Sequence, residues 1–428
     1  MPPAQRNGLN GNGPEHMLDD VEVPFISIKY EGGDASALKV VTALRPEWSG
    51  EGTNIVFTRF TDGITNTLLK AVNKREGLSK EEIDNEAVLL RAYGHGTDIL
   101  IDRQRETQNH ELLMKCGLAP ELLARFENGM LYRFIRGTVT NPNDLRRPTL
   151  YKAVARRLAE WHVRVPCITK TPMEAANGHG MGTGEEDAKQ AVIDNVAPGK
   201  PVPNMWTVVQ KWIMALPTDT LAQRERQKDL QKELERIVRE MSQRPGLGKD
   251  GLVFAHCDLL SGNIIVLLKD GTTTPNPSTD ENVVVSFIDY EYAVPSPAAF
   301  DISNHFAEWA GFDCDFGVLP TVSQRRDFIS TYIYAYHDYK GTCGAKELLE
   351  KEVDKLMAEV DLFRGVPGFY WGIWALIQAT ISDIEFDYAS YAELRLSEYW
   401  AWREELEGTR EKEGKEMPLR ERRWAQAE

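Results

Sequence analysis

No stretch of the 428-residue chain approaches the ~18 consecutive apolar residues of a membrane-spanning helix, so no integral span is expected. Cysteine is sparse: five residues, at 116, 167, 257, 314 and 343, odd in number and without a CxxC pair. A disulfide framework is thereby disfavoured and a reducing cytoplasm is the expected compartment. The eight histidines form no HExxH or other zinc spacing, which argues against a zinc centre. Basic residues are outnumbered, 50 Lys and Arg against 65 Asp and Glu, for a net charge of −15. Nucleic acid, which needs a basic footprint, is excluded as a partner, while a cationic small molecule is compatible. No GxxxxGK[ST] occurs, so any nucleotide phosphates are held by something other than a P-loop. The first residues, MPPAQRNGLNGNGPEH, lack the apolar core of a signal peptide and are expected to be a disordered tail over 1–20.

What is present divides in two. Residues 21–136 read mostly as strands: Val21–Tyr30, Asn54–Phe60, Glu86–Tyr93, Leu122–Phe126 and Met130–Ile135 are rich in β-branched and aromatic residues. Ile99–Asp102 reads as a partner or continuation of Glu86–Tyr93. A helical segment is expected at Thr67–Val72, after the turn Thr61-Asp62-Gly63, and one long helix at Arg103–Lys115, closed by Gly117 and Pro120. From 137 to 402 helical periodicity dominates, at Leu150–Val163, Met205–Leu216, Thr220–Ser242 and most of Arg326–Trp402. Residues 166–203, rich in Gly, Thr and Pro, read as a mobile insertion. Asn263–Leu268 and Val283–Ile288 read as short strands joined by a polar loop, and residues 403–428 as a charged, fraying tail. A small β-rich lobe before a larger helical one gives an α+β fold.

The sharpest motif is His256-Cys257-Asp258-Leu259-Leu260-Ser261-Gly262-Asn263, an HxDxxxxN loop between apolar segments. A hairpin's length later, Asp289 ends the strand Ser286-Phe287-Ile288. These residue types suit phosphoryl transfer from ATP. A carboxylate at Asp258 can accept the hydrogen bond of an acceptor hydroxyl and take its proton. Asn263 and Asp289 can each give an oxygen ligand to Mg²⁺. His256 is expected to brace the loop by hydrogen bonds. In the small lobe, Gly63, Thr65 and Asn66 form a turn able to approach phosphates closely, or an ordinary surface turn. Arg91 interrupts an apolar strand; if buried it must be paired, and Glu106 on the following helix is the expected partner, whereas on an edge strand it would face water.

These motifs together resemble the choline/ethanolamine kinase family, a branch of the kinases with an aminoglycoside-phosphotransferase-like, bilobal protein-kinase-like fold. The resemblance rests on His256–Asn263 with Phe287-Ile288-Asp289-Tyr290-Glu291, on Val88-Leu89-Leu90-Arg91-Ala92-Tyr93-Gly94, on the segment Phe300–Trp309 and on Trp371–Gln378. It spans roughly residues 53–402 in the family's order. It implies ATP and Mg²⁺ as cofactors, Arg91 as a phosphate-contacting cation, Tyr132–Ile135 as the hinge, and His256, Glu291 and Asp301 in supporting roles. The family usually has a second Gly where Asp62 stands.

Trp371 and Trp374 share a helix face, and Phe386, Tyr388 and Tyr391 follow. Without the resemblance such a stripe reads as core. With it, Trp371, Trp374, Phe386 and Tyr391 line a pocket for an ammonium head, which aromatic faces attract. Glu308 adds negative field. Choline kinases of the family often carry Gly where Asp387 stands and ethanolamine kinases an acid, so the resemblance implies a small amino alcohol, ethanolamine ahead of choline, as acceptor. The implied reaction yields phosphoethanolamine, the first step toward phosphatidylethanolamine. Two other classes fit less well. A protein kinase lacks support because there is no HRD or APE-like segment; a catalytically dead scaffold would have lost Asp258, Asn263 or Asp289. Subunit number, homodimer included, is left open.

Overall fold

Alternation along Val88–Tyr93 sets the small lobe: Val88, Leu90 and Ala92 turn to one face and Leu89 and Arg91 to the other. A computed structural model describes residues 23–60, 66–94, 96–167, 184–268, 283–342, 344–382 and 384–428. The first elements are β1 (Phe25–Ile26), α1 (Gly33–Leu44), β2 (Ile55–Phe60), β3 (Asn66–Asn73), α2 (Lys80–Glu86), β4 (Val88–Tyr93), α3 (Arg103–Lys115), β5 (Leu122–Phe126) and β6 (Gly129–Arg133). The strands form one sheet in the order β1-β5-β6-β4-β3-β2, antiparallel except for β1 beside β5. Ala37, Val40 and Val41 of α1, at helical spacing, cover the face carrying Leu69, Ala71, Val88, Leu90 and Leu131.

Three expectations fail here. Asn66–Asn73 is a strand, not a helix: Leu69 and Ala71 alternate into the core and the segment pairs on both sides, with β2 and β4, so tertiary pairing overrides a weak helical pattern. Helix α1 lies where the sequence reading placed nothing, and the strand before it is only two residues long among those described. Ile99–Asp102 is not a strand: a single 3₁₀ turn, Thr97–Ile99, runs into it and no strand follows before α3. Helix α3 has the expected bounds.

The larger, mainly helical part runs β7 (Gly137–Val139), α4 (Pro148–Arg164), α5 (Gly184–Asp194), α6 (Met205–Ala215), α7 (Leu221–Met241), β8 (Val253–Ala255), β9 (Ile264–Leu267), β10 (Val285–Phe287), β11 (Val294–Ser296), α8 (Ala298–Ala307), α9 (Val322–Lys340), α10 (Lys346–Phe363), α11 (Val366–Ile381), α12 (Tyr388–Leu406), α13 (Thr409–Lys412) and α14 (Leu419–Trp424). One large core built around Trp161, Trp212, Phe300, Tyr332 and Tyr370 unites it. Strands β10-β9-β7 and β11-β8 form two small sheets that carry the candidate site. Residues 184–194, read as mobile insertion, form the helix α5.

The C-terminal segment is not a fraying tail. Trp424 is buried, donates from its indole nitrogen to Asp361 at 2.7 Å and lies 3.8 Å under the Arg325 guanidinium. The carbonyls of Gln426 and Ala427 accept the N–H groups of Val322 and Ser323, at 2.9 and 3.0 Å, and so cap α9. Burial of one aromatic ring and satisfaction of a helix end outweigh the charge that suggested solvation.

Candidate active site

Strand β8 delivers the chain into His256, and Cys257 then adopts φ 62°, a left-handed conformation unusual for a side chain with a Cβ. Helix α8 holds it there. Asp301 accepts from the backbone N–H of His256 at 2.9 Å and of Cys257 at 2.8 Å, and bonds His162 Nε2 at 2.9 Å. Burial alone would lift the Asp301 carboxyl, but these bonds keep it below its usual value and therefore charged. Asn304 donates to the Cys257 carbonyl at 2.8 Å, and His305 Nδ1 donates to the Leu259 carbonyl at 2.8 Å. Two side chains of one helix thus fix the loop on either side of Asp258. His256 braces it from within, its Nε2 bonded to the Ile288 carbonyl at 3.1 Å.

Asp258 is buried. The Asn263 amide nitrogen donates to its carbonyl at 2.8 Å and to its carboxylate at 3.1 Å. Burial raises the Asp258 carboxyl well above the ordinary range, and Asp289, Glu308 and Glu291 raise it further. Strands β9 and β10 pair Ile264 with Phe287, and the Asn263 carbonyl accepts from Ile288 N–H at 3.0 Å, so Asn263 and Asp289 stand at the same end of the hairpin. Asp289 also has a left-handed backbone, φ 61°.

The cations come from the small lobe. Arg91 is buried and meets three carboxylates: Glu106 at 2.9 Å, Asp289 at 2.7 Å and Glu291 at 2.5 Å. The expected Arg91–Glu106 pair is present, and Arg91 does not face water. Arg103, which the sequence reading passed over, adds a second cation 2.8 Å from Glu106 and 3.4 Å from Glu291. The Asn66 amide crosses from β3 to Glu291 at 2.8 Å. Burial and Asp289 push the Glu291 carboxyl upward, with Arg91 opposing them. Gly63 and Thr65 lie outside the described residues.

A divalent cation suits this end of the hairpin. Among the described residues no group of three or more His, Cys, Asp and Glu forms a ready cage. Mg²⁺ keeps much of its water and takes few protein ligands, so a cage is not required. The available donors, Asp289 and the Asn263 amide oxygen, are hard oxygens, and the excess of negative charge that lifts Asp258 is what a bound cation would offset.

On the other side stands an aromatic wall. Trp371 and Trp374 of α11 are buried, edge to face at 5.5 Å between ring centres. Tyr292 joins them, accepting the Trp374 indole N–H at 2.8 Å and lying 5.7 Å from Trp371. Phe386 and Tyr391 are 5.6 Å apart, and Phe312 lies 6.3 Å from each. Close approach of α11 and α12 assembles the wall. A Cβ at Gly365, Gly368 or Gly372 would meet Trp402, the Arg395 carbonyl or Leu396 at 2.2, 2.8 and 2.7 Å. Glu308 is buried behind, ion-paired to Arg395 at 2.7 Å. Tyr292, Phe312 and Arg395 were missed; only their positions relative to the folded wall reveal them.

Asp387, expected at the acceptor pocket, has a second task. Its carboxylate is exposed and accepts the Ser390 N–H at 2.9 Å, as the N-cap of α12. That bond holds it below its usual value. An Asp before a helical run satisfies an end N–H of the helix.

A family model described as choline/ethanolamine kinase matches residues 57–400. Ethanolamine kinase 1 of Mus musculus is 32% identical over 400 residues, covering 90% of this chain and 95% of that protein. A probable ethanolamine kinase of Arabidopsis thaliana is 32% identical over 345 residues, 80% of this chain and 78% of its own. Among solved structures, an ethanolamine kinase of Plasmodium vivax superposes with a TM-score of 0.61 at 24% identity, covering 85% of this chain and 87% of that one. A choline kinase of Cryptosporidium parvum superposes at 0.54 and 18% identity, with 88% and 97% covered.

Proposed function

The chain belongs to the choline/ethanolamine kinase family, and from that premise we propose that it transfers the γ-phosphate of ATP to the hydroxyl of ethanolamine, giving phosphoethanolamine. The observation that carries this reading is the buried Asp258, held by Asn263 and by the α8 side chains between a nucleotide-side cation and an aromatic wall with a carboxylate behind it. The kinship with proteins named ethanolamine kinases supports the choice of acceptor.

In this reading Asp258 accepts the hydrogen bond of the acceptor hydroxyl and aims its oxygen at the γ-phosphorus. As that P–O bond forms, the bond from phosphorus to the β,γ-bridging oxygen breaks, ADP leaves, and the hydroxyl proton passes to Asp258. Arg91 and Arg103 would meet phosphate charge, held by Glu106 and Glu291 until then. Asn263 and Asp289 would hold Mg²⁺, which when bound neutralises phosphate charge. Trp371, Trp374, Phe386 and Tyr391 would attract the ammonium head through their ring faces, each contributing roughly 0.5–2 kcal/mol. Cytoplasmic residence fits the free thiols of Cys116, Cys167, Cys257 and Cys314.

Choline is the second reading, because Asp387 is engaged in capping and the wall itself is aromatic. The test is a rate comparison. Ethanolamine should exceed choline in kcat/KM by roughly tenfold, about 1.4 kcal/mol. Equal or better turnover of choline would move the acceptor and leave the kinase reading standing.

A further inference from the structure

Resting on the acceptor site just described, we infer that Arg395 is a positioning residue for the acceptor: it pins the Glu308–Cys314 turn against α12 and thereby sets the distance between Phe312 and Tyr391. Three contacts of its side chain and one of its main chain carry this. Arg395 is 1% exposed on α12, one turn after Tyr391, with its guanidinium 5.5 Å from that ring. One terminal nitrogen meets Glu308 at 2.7 Å and the other donates to Cys314 Sγ at 3.8 Å. Glu308 and Cys314 open and close the turn that carries Phe312. A carbonyl of the same residue lies against Gly368 of α11, the helix of Trp371 and Trp374. The fork of a guanidinium spans two partners in fixed geometry, which an ammonium cannot do.

The arrangement also places the field of Glu308. Its carboxylate is close enough to Asp258 to raise that carboxyl, and it is ion-paired to Arg395. The pair therefore holds the Glu308 carboxylate in one place. A loosened turn would widen the pocket on the ammonium side and leave the nucleotide side, built from Arg91, Glu106 and Glu291, unchanged.

Arg395→Met and Arg395→Lys separate this from a general packing role. For Arg395→Met the KM for the amino alcohol should rise at least tenfold while the KM for ATP stays within twofold. For Arg395→Lys, which keeps the charge but not the second reach, the acceptor KM should rise by a smaller factor. An acceptor KM within twofold of the parent in both variants overturns the inference. So does a rise of both KM values in proportion, which marks general loosening. If Arg395→Met does not fold, Arg395→Lys carries the same two readings. The parent enzyme is assayed with ethanolamine and choline alongside, and the variants with whichever it uses, so an error in the acceptor is distinguished from an error about Arg395.

Discussion

Asn304 accepts the indole N–H of Trp371 at 2.8 Å while its own amide nitrogen donates to the Cys257 carbonyl at 2.8 Å. One fully buried amide therefore ties the aromatic wall to the loop that carries Asp258. Asn304→Ala should lower kcat by about tenfold to a hundredfold, because a misplacement of ~1 Å has that cost. Nucleotide binding, measured by calorimetry, should be unchanged. Full turnover in the variant would show that wall and loop hold position independently.

Asp258→Ala should reduce kcat by on the order of 10²–10⁴ with ATP binding nearly intact. Asp289→Ala should instead weaken metal–nucleotide binding and abolish detectable transfer, since Asn263 alone is a neutral ligand. Steady-state kinetics with the metal varied separates the two. Unaltered activity in either variant removes that residue from the mechanism.

Asp387→Ala separates the capping role from a role in the pocket. Loss of an N-cap should cost about 1 kcal/mol of stability, read by urea unfolding. The ratio of ethanolamine to choline turnover should stay within threefold. A collapse of that ratio through loss of ethanolamine turnover would restore Asp387 to the pocket.

Gly368→Ala sets a methyl group 2.8 Å from the Arg395 carbonyl and 3.4 Å from the Tyr399 nitrogen, both main-chain atoms that cannot rotate away. The helices must part, at a cost of about 1–3 kcal/mol. A higher acceptor KM should accompany the lower melting temperature. A variant as stable as the parent would mean that α11 and α12 have slack.

Acid should destabilise the fold through two buried histidines. Burial holds His110 and His305 down at about 4, against an ordinary value near 6.5. His305 is kept neutral by its surroundings: Nδ1 donates to Leu259 and Nε2 accepts from Trp309 at 3.4 Å. Below about pH 6.5 the unfolded chain takes up protons that the folded one refuses until about pH 4. Stability is thus full above pH 6.5 and falls across that window, by up to about 3 kcal/mol per histidine. Unfolding free energies at pH 7.5, 6 and 5 check this. His110→Gln should remove its own share of the slope.

Much of the chemistry was legible because it is local. The order of His256, Asp258 and Asn263, with Asp289 after a hairpin, is a sequence pattern before it is a shape. Arg91 with Glu106 was legible for a different reason: a cation in an apolar strand needs an anion, and α3 was the next element. The illegible parts depend on distant chain. Thr67–Val72 reads as helix until β2 and β4 flank it. Asp387 looks like a ligand until Ser390 claims it. Arg395 and Tyr292 acquire meaning only when α8, α11 and α12 converge.

The cap on α9 has a consequence for how the chain is made. Val322 and Ser323 wait for carbonyls that the ribosome adds about a hundred residues later, at Gln426 and Ala427. Until then the start of α9 and the Trp424 berth beside Arg325 and Phe306 stay open. The helical half cannot close in the order of its synthesis: its middle is sealed by a turn made about a hundred residues later. A nascent chain stalled short of α14 therefore lacks both the cap on α9 and the ring that packs beside Arg325 and Phe306.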